Sequence, residues 1–296
     1  MAQSPSHRES LSSFRSDTAE KVFSVTRSPE WVPRGVDISV PSMARTYDFM
    51  LGGGHNFAVD RAVGEQIERA MPGLRDAARV NRAFLGRAVR FMTGHGIRQF
   101  LDIGSGIPTV ANVHEVAQEQ DPDCRVVYVD RDPVAVAHSE LLLAGNDRAA
   151  VVQADMRDPE KILESPQVRG LLDLEKPVGL LMLLMLHWVP DESDPLDLVA
   201  RYSSALVPGS FLALTHVTGD HQGENLGEAT EVIKESRSPD QVTLRTHDQV
   251  SALFAGFEIV EPGLVGCGEW RPSGPADIAA AAEMNMLVYA GIGRKS

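Results

Sequence analysis

The stretch Gln99-Phe100-Leu101-Asp102-Ile103-Gly104-Ser105-Gly106-Ile107-Pro108-Thr109 runs from a short apolar segment through an acid into a Gly-x-Gly turn. Its first five residues suit a buried parallel strand. The glycines remove side chains where the backbone bends. A helix predicted from about Thr109 to Gln120 would then present its free N–H groups to an anion.

Toward the C-terminus the same unit recurs. Arg125-Val126-Val127-Tyr128-Val129-Asp130 reads as a second strand followed by a helix through Leu143, and Ala150 to Asp155 as a third. Val178 to Leu186 makes a fourth strand, and Ser210 to His216 a fifth, entered through Pro208-Gly209. Thr246-His247-Asp248-Gln249 fits a capping box, and strands follow at Phe257 to Val260 and Met286 to Ala290. Strands alternating with helices predict an α/β fold, a Rossmann-like, doubly wound, mostly parallel seven-stranded sheet. An inserted helix over Asn225 to Ser236 is expected as a lid.

Toward the N-terminus the period becomes helical. Val63, Ile67 and Met71 lie four apart, with Pro72-Gly73 as the stop, and Val80, Phe84, Ala88 and Phe91 share one face of a second helix. Between Tyr47 and Asn56 stand three successive glycines, Gly52-Gly53-Gly54. That mixture is expected to close over the open end of the sheet and help form the pocket. The division is therefore a disordered tail over 1–30, rich in Ser and Arg, a helical cap over 31–95, and a ligand-binding core over 96–296.

Composition narrows the partners. The chain has 296 residues, 43% hydrophobic and 23% charged, with a formal charge of −13, which argues against a nucleic-acid groove or an anionic membrane surface. A local basic pocket stays open. Two distant cysteines, Cys124 and Cys267, favour a reducing cytoplasm over a disulfide framework. The longest apolar run, Val178 to Val189, is shorter than the roughly 20 residues a bilayer needs. Residues 1–30 lack the apolar core of a signal peptide.

Ligands of open α/β sheets sit outside the carboxyl ends of the strands. Those ends carry Asp102-Ile103-Gly104-Ser105-Gly106, Asp130-Arg131, Asp155-Met156 and His187-Trp188, a set that suits an adenosyl ligand. Gly104, Ser105 and Gly106 form the turn that lets it approach. Asp130 is placed for the ribose hydroxyls, Asp155 for the adenine amino group, and the backbone at Met156 for the ring edge. The competing reading makes the three acids turn and helix-cap carboxylates. A nicotinamide enzyme would want a third glycine where Thr109 stands, and a Tyr-x-x-x-Lys pair is absent. His187 is a candidate general base, or a histidine packed under the ligand. Tyr47 is a candidate for closing over the ligand; Asn56 and Arg82 either join it or fix the cap to the core. His216, Asp220 and His221 lack a metal-ligand spacing, so no metal is expected. Ser105 lacks the setting of a nucleophile.

Three stretches together carry a resemblance: Ala44 to Phe57, Asn81 to Ala88, and Gln99 to Thr109. From about Ser42 to Lys295 the chain resembles the bacterial S-adenosyl methyltransferase family once labelled a domain of unknown function. The resemblance implies a class I methyltransferase fold and bound S-adenosyl-L-methionine, with no settled acceptor. It matches Asp102, Gly104 and Gly106 to the glycine motif, Asp130 to the ribose acid and Asp155 to the adenine acid. Asp102 could also hold the cationic amino group of the cofactor's methionine part. His187 matches the Leu-His that follows strand four in small-molecule O-methyltransferases. The expected activity is methyl transfer to an oxygen or nitrogen of a small molecule. The alternatives are a cofactor-binding regulator without turnover and a nicotinamide oxidoreductase.

Overall fold

The computed structural model describes residues 32–33, 36–109, 111–221 and 223–296; the tail expected over 1–30 lies outside the described residues. The strands are β1 (Gln99–Ile103), β2 (Arg125–Asp130), β3 (Ala149–Gln153), β4 (Gly179–Leu183), β5 (Phe211–Val217), β6 (Phe257–Ile259), β7 (Val265–Gly266) and β8 (Val288–Lys295). Their order is β3-β2-β1-β4-β5-β8-β6. β1 to β5 are parallel, and β8 runs antiparallel to β5, β6 and β7. The sheet thus has eight strands where seven are expected. The addition is β7, which covers Tyr289 and Ala290 on the outer edge of β8, a stretch that the three-residue β6 leaves unpaired.

Side-chain alternation builds the two layers, because successive residues of a strand face opposite sides. Phe100, Val126, Leu181, Phe211 and Ala213 pack on one face with Phe84, Ala88 and Met92. Their neighbours Leu101, Val127, Leu180, Leu212 and Leu214 pack on the other with Ile162, Val168, Leu198 and Tyr202. Both faces are covered, which explains why these strands read as continuous apolar runs. The order reverses between β1 and its neighbours β2 and β4, and this is where a doubly wound sheet opens a crevice.

Helices α1 (Met43–Met50), α2 (Ala58–Ala70) and α3 (Leu74–Gly94) precede the sheet; α4 (Val113–Gln120) and α5 (Pro133–Leu142) follow β1 and β2. A buried carboxylate fastens the first two. Asp60 accepts hydrogen bonds from the Ser42 amide at 2.9 Å, the Phe57 amide at 2.8 Å and Arg45 Nε at 2.8 Å. The Arg45 guanidinium also lies 3.7 Å from Asp132, to which the Ser42 hydroxyl donates. Asp132 caps α5 through the Val134 amide at 2.8 Å. The N-terminal helices are therefore tied to the carboxyl end of β2.

The three glycines serve a different purpose from the one the sequence suggests. Gly52 to Asn56 stay outside the cavity described below, to which Tyr47 and Met50 contribute. The turn instead wraps the buried Asp48 carboxylate, which accepts from the His55 amide at 2.9 Å and Asn56 Nδ2 at 2.8 Å. A Cβ at Gly53 would stand 2.0 Å from Asp48 Oδ1. Gly53→Ala is accordingly expected to cost about 1–3 kcal/mol by overpacking. Urea denaturation checks this; a change below about 0.5 kcal/mol, the range of ordinary surface substitutions, would show that the turn yields freely.

Candidate active site

At the carboxyl ends of β1, β2 and β4 lies a cavity of about 680 Å³, within the roughly 300–1,000 Å³ usual for small-molecule sites. The strand-end residues line its floor. α1, α2, α3 and the helix Gly223–Glu235 supply walls.

The turn after β1 is stapled to β2, since the Gly104 and Ser105 amides donate to the Val129 carbonyl at 2.8 and 3.1 Å. Gly104 has φ +73° and is packed by Met185, whose Sδ would stand 2.0 Å from an added Cβ. No L side chain fits there without both strain and collision. Gly106, at φ +66°, has nothing within 4 Å of its Cβ position. Of the two glycines, Gly106 is the one that leaves open space beside the backbone.

Asp130 accepts from the Gly106 and Asp132 amides, both at 2.8 Å, so one carboxylate shapes the turn and lines the cavity. Burial pushes it up to about 6 despite those bonds. Asp102 is also buried in the cavity floor, and burial pushes it up to about 7; the Arg82 guanidinium pulls the other way, and Asp130 adds to the rise. Arg82 reaches in from α3 and donates to Asn112 Oδ1 at 2.8 Å at the start of α4. Asp155 is gripped by Arg157, through Nε at 2.9 Å and the amide at 2.9 Å, which holds its carboxyl below the usual range. The Met156 carbonyl accepts from the Tyr202 hydroxyl at 2.7 Å. Arg131 forms an ion pair with Asp240, joining the end of β2 to the segment after the helix Gly223–Glu235.

β4 ends earlier than its apolar run suggests. Leu184 takes φ +54°, a costly conformation for a leucine, and a 3-10 turn Leu186–Trp188 follows. His187 sits in that turn, buried and lining the cavity, and its Nδ1 has no partner among the described residues. Burial keeps its imidazole neutral, lowering it well below its ordinary value, with His216 and Arg245 adding to the effect. Arg245 donates to the Leu186 and Val189 carbonyls, both at 2.8 Å, and to Asp191 at 2.6 Å. It also lies 3.0 Å from His216 Nε2. A guanidinium only donates, so Nε2 accepts and Nδ1–H donates to the Val217 carbonyl at 2.7 Å. His216 is thus neutral, pushed down to about 4 by burial.

Tyr47 lines the cavity with its hydroxyl engaged, donating to the Ala78 carbonyl at 3.1 Å and accepting from Asn81 Nδ2 at 3.1 Å. Asn81 Oδ1 accepts from the Thr215 hydroxyl at 2.8 Å, which in turn accepts from the Leu184 amide at 2.8 Å. This relay links α1 to the strained end of β4. Asp220 and His221 share the Tyr289 hydroxyl, each at 3.0 Å, while His216 is held apart from them by the Val217 carbonyl and Arg245.

Asp102, Asp130, Asp155, Gly104, Ser105, Gly106, Arg131, Met156, His187 and Tyr47 therefore all line one cavity. A family model described as S-adenosyl methyltransferase matches residues 29–296. The chain belongs to the S-adenosyl methyltransferase family. Two solved structures are similar to this family member. One, a Thermobifida fusca YX protein provisionally named a methyltransferase, is 41% identical, with 90% of this chain and 100% of that chain covered and a TM-score of 0.85. The other, a DUF574 family protein from Streptomyces avermitilis MA-4680, is 37% identical, with 88% and 99% covered and a TM-score of 0.84. No curated protein matches.

Two features of the cavity bear on the cofactor of this family. Ser105 Oγ is buried without a partner among the described residues, and Gly106 opens onto free space. Beside them stand the carboxyl groups of Asp102, Asp130 and Asp155, acceptors suited to the hydroxyl and amino donors of an adenosyl ligand. Arg45 and Asp240 also line the cavity, and Asp60 and Arg245 hold its walls from behind; their partners are brought together by the fold, and no periodicity marks them. Arg157 alone has a visible signal, its place two residues after Asp155. Among the described residues no helix is long and apolar enough to cross a membrane.

Proposed function

We propose that this chain transfers the methyl group of S-adenosyl-L-methionine to an oxygen or nitrogen of a small molecule. The observation that carries this reading is a single cavity lined by Asp102, Asp130 and the glycine turn, by His187 after the neighbouring β4, and by apolar helices. Asp130 would hold the ribose hydroxyls, and Asp155 with Met156 the adenine. Asp102 would hold the cationic amino group, with Arg82 beside it for the carboxylate. Ser105 would offer its unpartnered hydroxyl, and Arg131, tied to Asp240, closes that side. Bound there, the cofactor supplies a sulfonium methyl group open to displacement.

The chain's main task is to hold the acceptor in line, which is worth about 7–11 kcal/mol. His187, neutral because it is buried, would receive the acceptor's proton. The burial that keeps it neutral also weakens it as a base, so its effect lies toward the lower part of the usual range of about 10²–10⁴-fold. Tyr47 closes the acceptor side by packing, since its hydroxyl is already engaged. The division into a helical cap over 31–95 and a cofactor-binding core over 96–296 accompanies this reading, with the cap supplying the acceptor wall. A cytoplasmic place fits two cysteines that are both free and buried.

Titration tests the cofactor site. Asp102 stands at about 7 because of burial, so at pH 6 it is mostly neutral and must lose a proton to hold a cation. Binding therefore releases a proton, and affinity for S-adenosylhomocysteine should fall about tenfold per pH unit below 7. Asp102→Asn should bind weakly and lose the fall that sets in near pH 7, leaving only the dependence set by Asp130 near 6. Calorimetry in buffers of different ionisation enthalpy reads both; a flat wild-type profile from pH 6 to 8 would take Asp102 out of this role. Turnover is then read by mass spectrometry of methylated products.

A further inference from the structure

The two ends of the cavity are chemically unlike. Its lining contains no lysine or glutamate among the described residues, and each of its arginines, Arg45, Arg82, Arg131 and Arg157, is engaged by an acidic or amide partner. The far end is walled by α1, α2 and the helix Gly223–Glu235, which packs against α2. That helix buries Leu226, Ala229 and Ile233 and leaves Glu228, Glu231, Lys234 and Glu235 exposed. On α2, Ile67 faces inward while Arg61, Glu65, Gln66 and Arg69 are exposed. Both helices keep their many charges off the cavity.

The polar groups at that end are already used. The Tyr47 hydroxyl and the Asn81 amide are held in the relay to Leu184. The Thr230 hydroxyl donates to the Gly227 carbonyl at 2.8 Å. His187 is different, with a buried nitrogen that has no partner among the described residues. Met43 and Met50 with the Trp188 ring complete the wall, while Met185 packs on Gly104 at the glycine turn; thioethers adapt well to flat rings. An anion placed there would lose its hydration and gain no counter-ion, and a cation would find only the exposed Asp37 carboxylate, already held by the Ser39 amide and hydroxyl.

We propose that the acceptor is an uncharged, largely aromatic molecule whose one polar contact at this end is its nucleophilic hydroxyl or N–H beside His187. Leu226, Ile233 and Ile67 then act as the residues that refuse charged acceptors. This rests on the reading that the cofactor occupies the sheet end. It goes further in fixing what the other end takes.

Three probes that share one ring system test it on the full chain: 2-naphthol, 2-naphthoate and 2-(aminomethyl)naphthalene. With S-adenosylhomocysteine saturating, calorimetry should show 2-naphthol binding at least about tenfold more tightly than either charged probe. Ile233→Glu should weaken 2-naphthol by about tenfold or more and leave S-adenosylhomocysteine affinity within about twofold. Should that variant not fold, the wild-type ratio decides alone. Equal or tighter binding of a charged probe overturns the proposal, as does failure of all three probes to bind. The S-adenosylhomocysteine titration is read separately. If it shows no binding, the cofactor reading fails, and the same probe series on the unloaded chain still judges the apolar end.

Discussion

Asp60→Ala should destabilise the chain by about 3–5 kcal/mol, because it strands a buried guanidinium. Asp60 is fully buried and receives the Ser42 amide, the Phe57 amide and Arg45. Without it, Arg45 keeps the Val40 carbonyl at 2.5 Å but has no carboxylate closer than Asp132, at 3.7 Å. Two backbone amides lose their acceptor at the same time. Asp60→Asn, which can still accept but no longer carries charge, should lie between the two. Guanidinium denaturation followed by circular dichroism measures the series. A loss under about 1 kcal/mol, the worth of an exposed ion pair, would mean that water or a shifted Asp132 replaces the carboxylate. Since Ser42 and Arg45 line the cavity, affinity for S-adenosylhomocysteine should fall in the same variant.

Asp130→Ala should weaken S-adenosylhomocysteine binding by about 1.5–3 kcal/mol, roughly 10- to 150-fold, the worth of hydrogen bonds to a charged group. The structure adds a second consequence. The Gly106 and Asp132 amides both donate to this carboxylate, so the glycine turn loosens when it is removed. A modest drop in stability should accompany the loss of affinity. Calorimetry on the folded variant is the measurement; unchanged affinity would remove Asp130 from the cofactor site.

The strand-end acids are legible in the amino-acid sequence, because apolar runs bounded by an acid and a glycine mark both a strand and its exit. The last strand is less so: the apolar pattern predicts Met286 to Ala290, and the strand runs over Val288–Lys295. Gly291 and Gly293 read as an ending, yet a Cβ at Gly293 would meet Phe257 Cβ at 2.7 Å. These glycines are places where aromatic rings press on a continuing strand. The three glycines after α1 mislead for a related reason, since closeness to a buried carboxylate and closeness to a ligand demand the same residue. The Asp60 anchor and the Arg245 clamp leave no signal at all. Each is a lone charged residue whose partners are set by tertiary packing, and periodicity carries no trace of that.

β8 is the last strand in sequence, but it lies inside the sheet, between β5 on one side and β6 with β7 on the other. While the chain is being synthesised, β5 therefore has a bare edge until residues 288–295 have emerged. Leu287 and Val288, which also wall the cavity, arrive in the same moment. Thr215, whose hydroxyl links Tyr47 to Leu184, sits on that waiting edge opposite Ala290. The site cannot be assembled piecemeal on the ribosome, and a nascent chain stopped short of 288 presents an unpaired apolar strand, the kind of edge that recruits other chains.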